Sequence, residues 1–218
     1  MIGPFHCIAD LRGALMESPV WDERRAKLFA CDINGRKLYE IDLEHGPVRD
    51  WTFEAEVPCV GLAESGKLIV ALAREIILFD PDSGDRQPLW SGYNEPQTSR
   101  LNDGKIGPDG ALWIGSMDCR PTREPIAKLY RVTADGQAAV MAKGFEVSNG
   151  LAWTPDATTM FHTDSGDHGS TVTTLTARRA VLATRDAFAT STKLPADRTA
   201  AHAMPKALTG VRVCQLVS

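Results

Sequence analysis

The sequence predicts an all-β fold made of repeated antiparallel units, and three features carry that expectation. Short apolar runs alternate with Asn-Gly, Ser-Gly and Asp-Gly turns, the pattern of hairpins rather than of helices. The pattern returns after roughly 40 to 48 residues, the span of a four-stranded propeller blade. Apolar residues at helical spacing are scarce, which leaves the strand reading with little competition.

Taken in order, the first unit is Leu28-Phe29-Ala30-Cys31-Asp32, a turn at Asn34-Gly35, and Leu38-Tyr39-Glu40-Ile41-Asp42. The second follows Ser65-Gly66 with Leu68-Ile69-Val70-Ala71-Leu72 and Ile76-Ile77-Leu78-Phe79-Asp80, closed by Pro81 and the Asp82-Ser83-Gly84 turn. The third opens at Pro108-Asp109-Gly110, where Pro presets φ, Asp bonds its own backbone and Gly accepts φ > 0. Residues 111–117 then read as a strand buried on both faces, followed by Leu129-Tyr130-Arg131-Val132 and Asp135-Gly136. A fourth unit starts at Pro155-Asp156 and includes Met160-Phe161-His162-Thr163-Asp164. Trp21, Trp113 and Trp153 are expected between blades. Upstream of the third unit, Arg100-Leu101-Asn102-Asp103-Gly104-Lys105 reads as a second, polar turn, with Gly104 letting the backbone turn away.

Composition bounds the function. With 218 residues, 43% hydrophobic and 24% charged, the chain has the balance of an ordinary soluble domain with one sizeable core. A formal charge of -4 argues against nucleic acid or an anionic membrane as the main partner. Met1-Ile2-Gly3-Pro4-Phe5 has no charged-then-apolar character and no apolar run approaches the roughly 20 residues of a membrane span, so a cytoplasmic location is expected, and separately a monomer for the intact-length protein. The five cysteines are scattered without a C-x-x-C spacing, which predicts reduced and mostly buried thiols.

The repeat fades near Gly169. From Ser170 onward there are ten Ala, nine Thr, one Gly, two acidic residues and no Trp. Two domains of different character follow: a partial propeller over 1–169 and an aberrant segment over 170–218, either disordered or translated out of frame.

Three stretches carry a resemblance to a known family. Leu15-Met16-Glu17-Ser18-Pro19-Val20-Trp21-Asp22, Arg100-Leu101-Asn102-Asp103-Gly104-Lys105 and Val147-Ser148-Asn149-Gly150-Leu151-Ala152-Trp153 resemble signatures of the regucalcin (senescence marker protein), gluconolactonase and luciferin-regenerating-enzyme family. They occur in order, and the resemblance covers roughly residues 8 to 168. Phe161-His162-Thr163-Asp164 is more similar to bacterial sugar lactonases than to the animal proteins. The resemblance implies a six-bladed propeller, of which about four blades are present here, with one divalent ion (Ca, Zn, Mg, Mn or Fe) in the central channel.

It also implies site residues. Glu17 and Asn149 match metal ligands, a carboxylate and a neutral amide oxygen suited to a hard cation. Met16 stands where the family usually has Gly. Arg100 and Asn102 match contacts to a sugar-lactone substrate, as a cationic donor and a two-way amide. Cys119 and Arg120 lie where relatives place a further substrate-facing residue. His162 and His168 lack ligand spacing and read as strand or surface histidines. The implied reaction is metal-assisted lactone hydrolysis with a carboxylate as proton acceptor.

That carboxylate is an Asp in a family pattern of Asp-Gly, three residues, Asp-Ala-Glu-Gly, one residue, an apolar residue and Trp, which this chain lacks. Three expectations therefore stand side by side: a lactonase or its remnant, a non-catalytic metal- or partner-binding propeller, and a broken enzyme. Codon arithmetic sharpens the last. Pairing the third base of each codon with the first two of the next, Val172 to Thr176 permits Tyr-Asp-Phe-Asp. Arg198 to Gly210 permits the whole missing pattern in order, with Met204/Pro205 fixed as GCC, an Ala codon.

Overall fold

The computed structural model describes residues 5–166, 171–176 and 213–216. Most of the expected aberrant segment, and His168, thus lie outside the described residues. The first blade runs β2 (Met16–Asp22), β3 (Lys27–Asp32), β4 (Lys37–Asp42) and β5 (Gly46–Thr52), preceded by β1 (Phe5–Ala9). The second is β6 (Cys59–Leu62), β7 (Leu68–Ala71), β8 (Ile76–Phe79) and β9 (Arg86–Trp90). The third is β10 (Ser99–Ile106), β11 (Leu112–Asp118), β12 (Ala127–Val132) and β13 (Ala138–Phe145). A three-stranded sheet follows with β14 (Ser148–Trp153), β15 (Thr159–Asp164) and β16 (Thr171–Thr176). The sheet thus continues past Gly169 into the Thr-rich stretch. β17 (Val213–Leu216) pairs antiparallel with β1. Every sheet of four is a sequential antiparallel meander.

The apolar runs are explained by blades stacking face to face. Along β7, Leu68 and Val70 pack with Phe29, Leu38 and Phe79, whereas Ile69 and Ala71 pack with Leu101, Leu112 and Ile114. Alternate side chains therefore feed different interfaces, and a strand buried on both faces needs no polar alternation. Fully burying each large side chain here contributes roughly 1.5–3 kcal/mol. Trp113 and Trp153 meet edge to face at 6.2 Å between the third and fourth sheets, as expected. Trp51, rather than Trp21, serves the first interface, with its ring 5.2 Å from Phe79 and 6.5 Å from Phe29. Trp21 is half-buried opposite Leu28.

Two turns differ from the sequence reading. At Asn34-Gly35 the hairpin forms, but Arg36 takes the left-handed angle, φ 57°. Gly35 serves another purpose: a Cβ there would lie 2.1 Å from Asp32 Oδ2. Asp32 needs that space, since its carboxylate accepts N–H bonds from Ala14, Leu15 and Gly35. The larger correction concerns Asn102-Asp103-Gly104. It is no turn but the middle of the eight-residue strand β10. Gly104 is required by proximity, because a Cβ would meet Cys59 Sγ at 2.9 Å and Trp113 O at 3.1 Å. The thiol expectation also splits: Cys31 and Cys59 are buried, whereas Cys7 and Cys119 are exposed.

Candidate metal centre

Three innermost strands carry one extra residue relative to their partners. In β2 the register passes from Glu17↔Cys31 to Val20↔Phe29. In β10 it passes from Leu101↔Ser116 to Gly104↔Ile114, and in β14 from Asn149↔Thr163 to Leu151↔His162. Each shift is a β-bulge, which breaks the ladder locally and re-aims side chains. Glu17, Asn102, Asp103 and Asn149 all sit at these bulges. Two of the bulges hold a left-handed residue, Ser18 at φ 51° and Gly150 at φ 56°. Ser18 is steadied by its Oγ, which accepts the Val60 N–H at 3.1 Å.

The electrostatics of the bulges favour a cation. Glu17 is half-buried and makes no hydrogen bond or ion pair among the described residues. Burial, and then the neighbouring Asp103 carboxylate, push its carboxyl above the ordinary value. Burial likewise raises Asp103, opposed by N–H bonds from Gly150 and Gly104. Two carboxylates thus lie within electrostatic reach of each other in a partly desolvated place, the situation a bound cation relieves. The nearby Cys31 and Cys59 thiols are pushed up by burial first and by Asp103 second, so they stay neutral. Met16 fits without the family's Gly: it is 6% exposed in a cluster with Ala9, Ala30 and Ile41.

Asn149 is half-buried, with Nδ2 donating to Ser165 Oγ at 3.3 Å and Oδ1 accepting the Gly150 N–H at 3.1 Å. Arg100 donates to Leu101 O at 2.8 Å and to Asn102 Oδ1 at 2.9 Å. Asn102 in turn donates from Nδ2 to Ser148 O at 3.1 Å. Arg100 and Asn102 are therefore joined to each other and to the next sheet. Cys119 lies in the electrostatic surroundings of Arg100, whereas Arg120 folds back onto Asp118 at 2.7 Å and Glu124 at 3.0 Å. His162 is fully buried, with Nε2 2.7 Å from Ser148 Oγ, and belongs to the core.

The candidate donors Glu17 and Asn149 are both oxygen ligands, which fits a hard divalent ion, and the Asp103 carboxylate beside Glu17 adds negative charge. This donor set is incomplete. Among the described residues no group of three or more His, Cys, Asp or Glu side chains has metal-holding geometry. Sequence reasoning missed Asp103 as a site residue by assigning it to a turn. Its signal was a carboxylate beside Asn102 in a segment with no need of a second turn.

Residues 15–201 match the SMP-30/gluconolactonase/LRE-like region. The chain belongs to that family. It is 35% identical over 162 residues to a 6-deoxy-6-sulfogluconolactonase of Pseudomonas putida, covering 74% of this chain and 55% of the relative. It is 31% identical to chicken (Gallus gallus) regucalcin over 163 residues, covering 73% of this chain and 54% of that protein. The chain thus spans about half the length of the curated relatives it matches. Among solved structures it superposes on a calcium-binding regucalcin of Agrobacterium tumefaciens with a TM-score of 0.69 at 23% identity, covering 81% of this chain and 59% of that one. A gluconolactonase of Xanthomonas campestris gives a TM-score of 0.65 at 23% identity, over 80% and 62%. These structural likenesses establish the propeller fold.

Proposed function

We propose that this chain carries part of the binding machinery of a divalent-metal-dependent sugar-lactone hydrolase. The observation that carries the reading is the set of three bulges, at which Glu17 neighbours Asp103 and Asp103 bonds the Gly150 N–H next to Asn149, with no cationic side chain bonded to Glu17 among the described residues. Sugar-lactone chemistry in the name of the Pseudomonas relative supports the substrate class. Glu17 and Asn149 would hold the ion. When bound, a divalent ion supplies Lewis acidity toward a lactone carbonyl and toward water. Arg100 would donate to sugar oxygens, steadied by Asn102. No residue of this chain is assigned as proton acceptor, because the family's Asp-Ala-Glu-Gly motif is absent.

That absence favours a second reading, a propeller fragment that binds metal without turnover. Hydrolysis of several aldonolactones, with and without added divalent metal, separates the two: turnover requires the first, whereas metal binding with no turnover fits the second. Arg100→Ala should impair any turnover and leave metal affinity nearly intact. We further propose that the segment after about Gly169 is read out of frame, since the shifted codons permit the missing motif at its proper spacing. Sequencing the gene decides this, and codons whose shifted reading lacks that Asp would sink it.

A further inference from the structure

We propose that Asn102 and Asp103 are positioning residues, a clamp from one sheet that fixes the Asn149-Gly150 bulge of the next and so directs the Asn149 amide. The inference rests on the metal-centre reading above and names what holds its neutral ligand. The β10 bulge takes Asn102 and Asp103 out of their own ladder, freeing both side chains to reach across to β14. Asn102 Nδ2 donates to Ser148 O at 3.1 Å, and Asp103 Oδ2 accepts the Gly150 N–H at 2.8 Å. Asn149 lies between the two grips. Ser148 is itself immobilised through its hydroxyl, 2.7 Å from His162 Nε2 in the core.

The Gly150 N–H has two acceptors, and their competition is the point. Besides Asp103 at 2.8 Å it approaches Asn149 Oδ1 at 3.1 Å. A carboxylate is the stronger acceptor, because a charge-assisted bond outweighs an amide one. While Asp103 holds the N–H, the Asn149 oxygen keeps lone-pair capacity for a cation. Without Asp103 the same N–H draws that oxygen onto the local backbone. Gly150, at φ +56°, fits the bulge, and a Cβ there would crowd Thr163 Oγ1 at 3.1 Å.

The test compares Asp103→Ala, which removes the acceptor, with Asp103→Asn, which removes the charge and keeps an oxygen. Two readouts on the 218-residue chain are amide hydrogen exchange at Gly150 and calorimetric titration with calcium ion. Asp103→Ala should speed Gly150 exchange by roughly tenfold or more and weaken calcium affinity by about 10- to 100-fold. Asp103→Asn sets an amide against an amide for the Gly150 N–H, so both readouts should fall between the unsubstituted chain and Asp103→Ala. Equal damage from the two variants, or unchanged Gly150 exchange in Asp103→Ala, overturns the clamp. If Asp103→Ala fails to fold, Asp103→Asn decides alone: partial loss of Gly150 protection together with weaker calcium affinity supports the clamp, and unchanged Gly150 protection overturns it. If the unsubstituted chain takes up no calcium, the metal-centre reading fails, while Gly150 exchange in the variants still judges the clamp.

Discussion

The second and third blades are built on the same meander, yet they do different work. In the second, β6 has four residues, all buried, and its register against β7 is unbroken from Cys59↔Ala71 to Leu62↔Leu68. Its Gly61 only makes room for Ile106, whose Cδ1 would lie 3.1 Å from a Cβ. In the third, β10 has eight residues and one insertion against β11, and at that insertion stand Asn102 and Asp103. A single extra residue converts a packing strand into a presenting one. The polar groups it releases are bonded to the adjoining sheet.

The comparison can be broken most forcefully at Phe79, fully buried on β8 with edge-to-face contacts to Trp51 and Phe53 at 5.2 and 5.5 Å. Phe79→Ala should cost about 3–5 kcal/mol in urea unfolding. Divalent-ion affinity, measured under native conditions, should stay within a fewfold; a collapse would mean the second blade shapes the site directly. Gly104→Ala comes next, at about 1–3 kcal/mol from overpacking. Adding Cys59→Ala should recover part of that loss, because Cys59 Sγ is the nearest atom, at 2.9 Å. No recovery would show that the Trp113 carbonyl and the Ile114 side chain, each 3.1 Å from the added Cβ, set the limit.

A more selective probe is Glu17→Gln, which keeps size and removes charge. Divalent-ion affinity should fall about tenfold, near 1.4 kcal/mol, with the fold intact by circular dichroism; unchanged affinity would remove Glu17 from the ligand set. The smallest effect belongs to His162. Burial lowers its pKa, so the folded state favours the neutral ring. The unfolded chain binds more protons below an ordinary histidine pKa of about 6.5, so stability should decline as pH falls from there toward the depressed folded value. Urea midpoints at several pH values should show that slope, and His162→Gln should flatten it.

Much of the scaffold was legible because strand, turn and burial leave local marks. The apolar run over Leu68, Ile69, Val70 and Ala71 and the Pro108-Asp109-Gly110 turn both fold as read, with Gly110 at φ 71° and Asp109 Oδ1 accepting from Ala111 N and Trp113 Nε1. The innermost strand β6 escaped notice because four residues are too few for a period. The Asn102-Asp103-Gly104 error has a different cause. Residues that favour turns also favour bulges, and the two are told apart only by what sits across the ladder. Site residues were legible through the resemblance, whereas the tie from Asp103 to Gly150, separated by 47 residues, is a product of blade stacking and leaves no local mark.

The alternation along β7 reaches beyond packing. Because Leu68 and Val70 serve one neighbour while Ile69 and Ala71 serve the other, each blade is bilingual, and its two vocabularies share no letters. Stability then approximates a sum over adjacent pairs, as in a one-dimensional lattice. Drift at one boundary is absorbed by compensating drift in the single blade that faces it. The far boundary is left free to change on its own, which lets such a series of blades diversify one seam at a time.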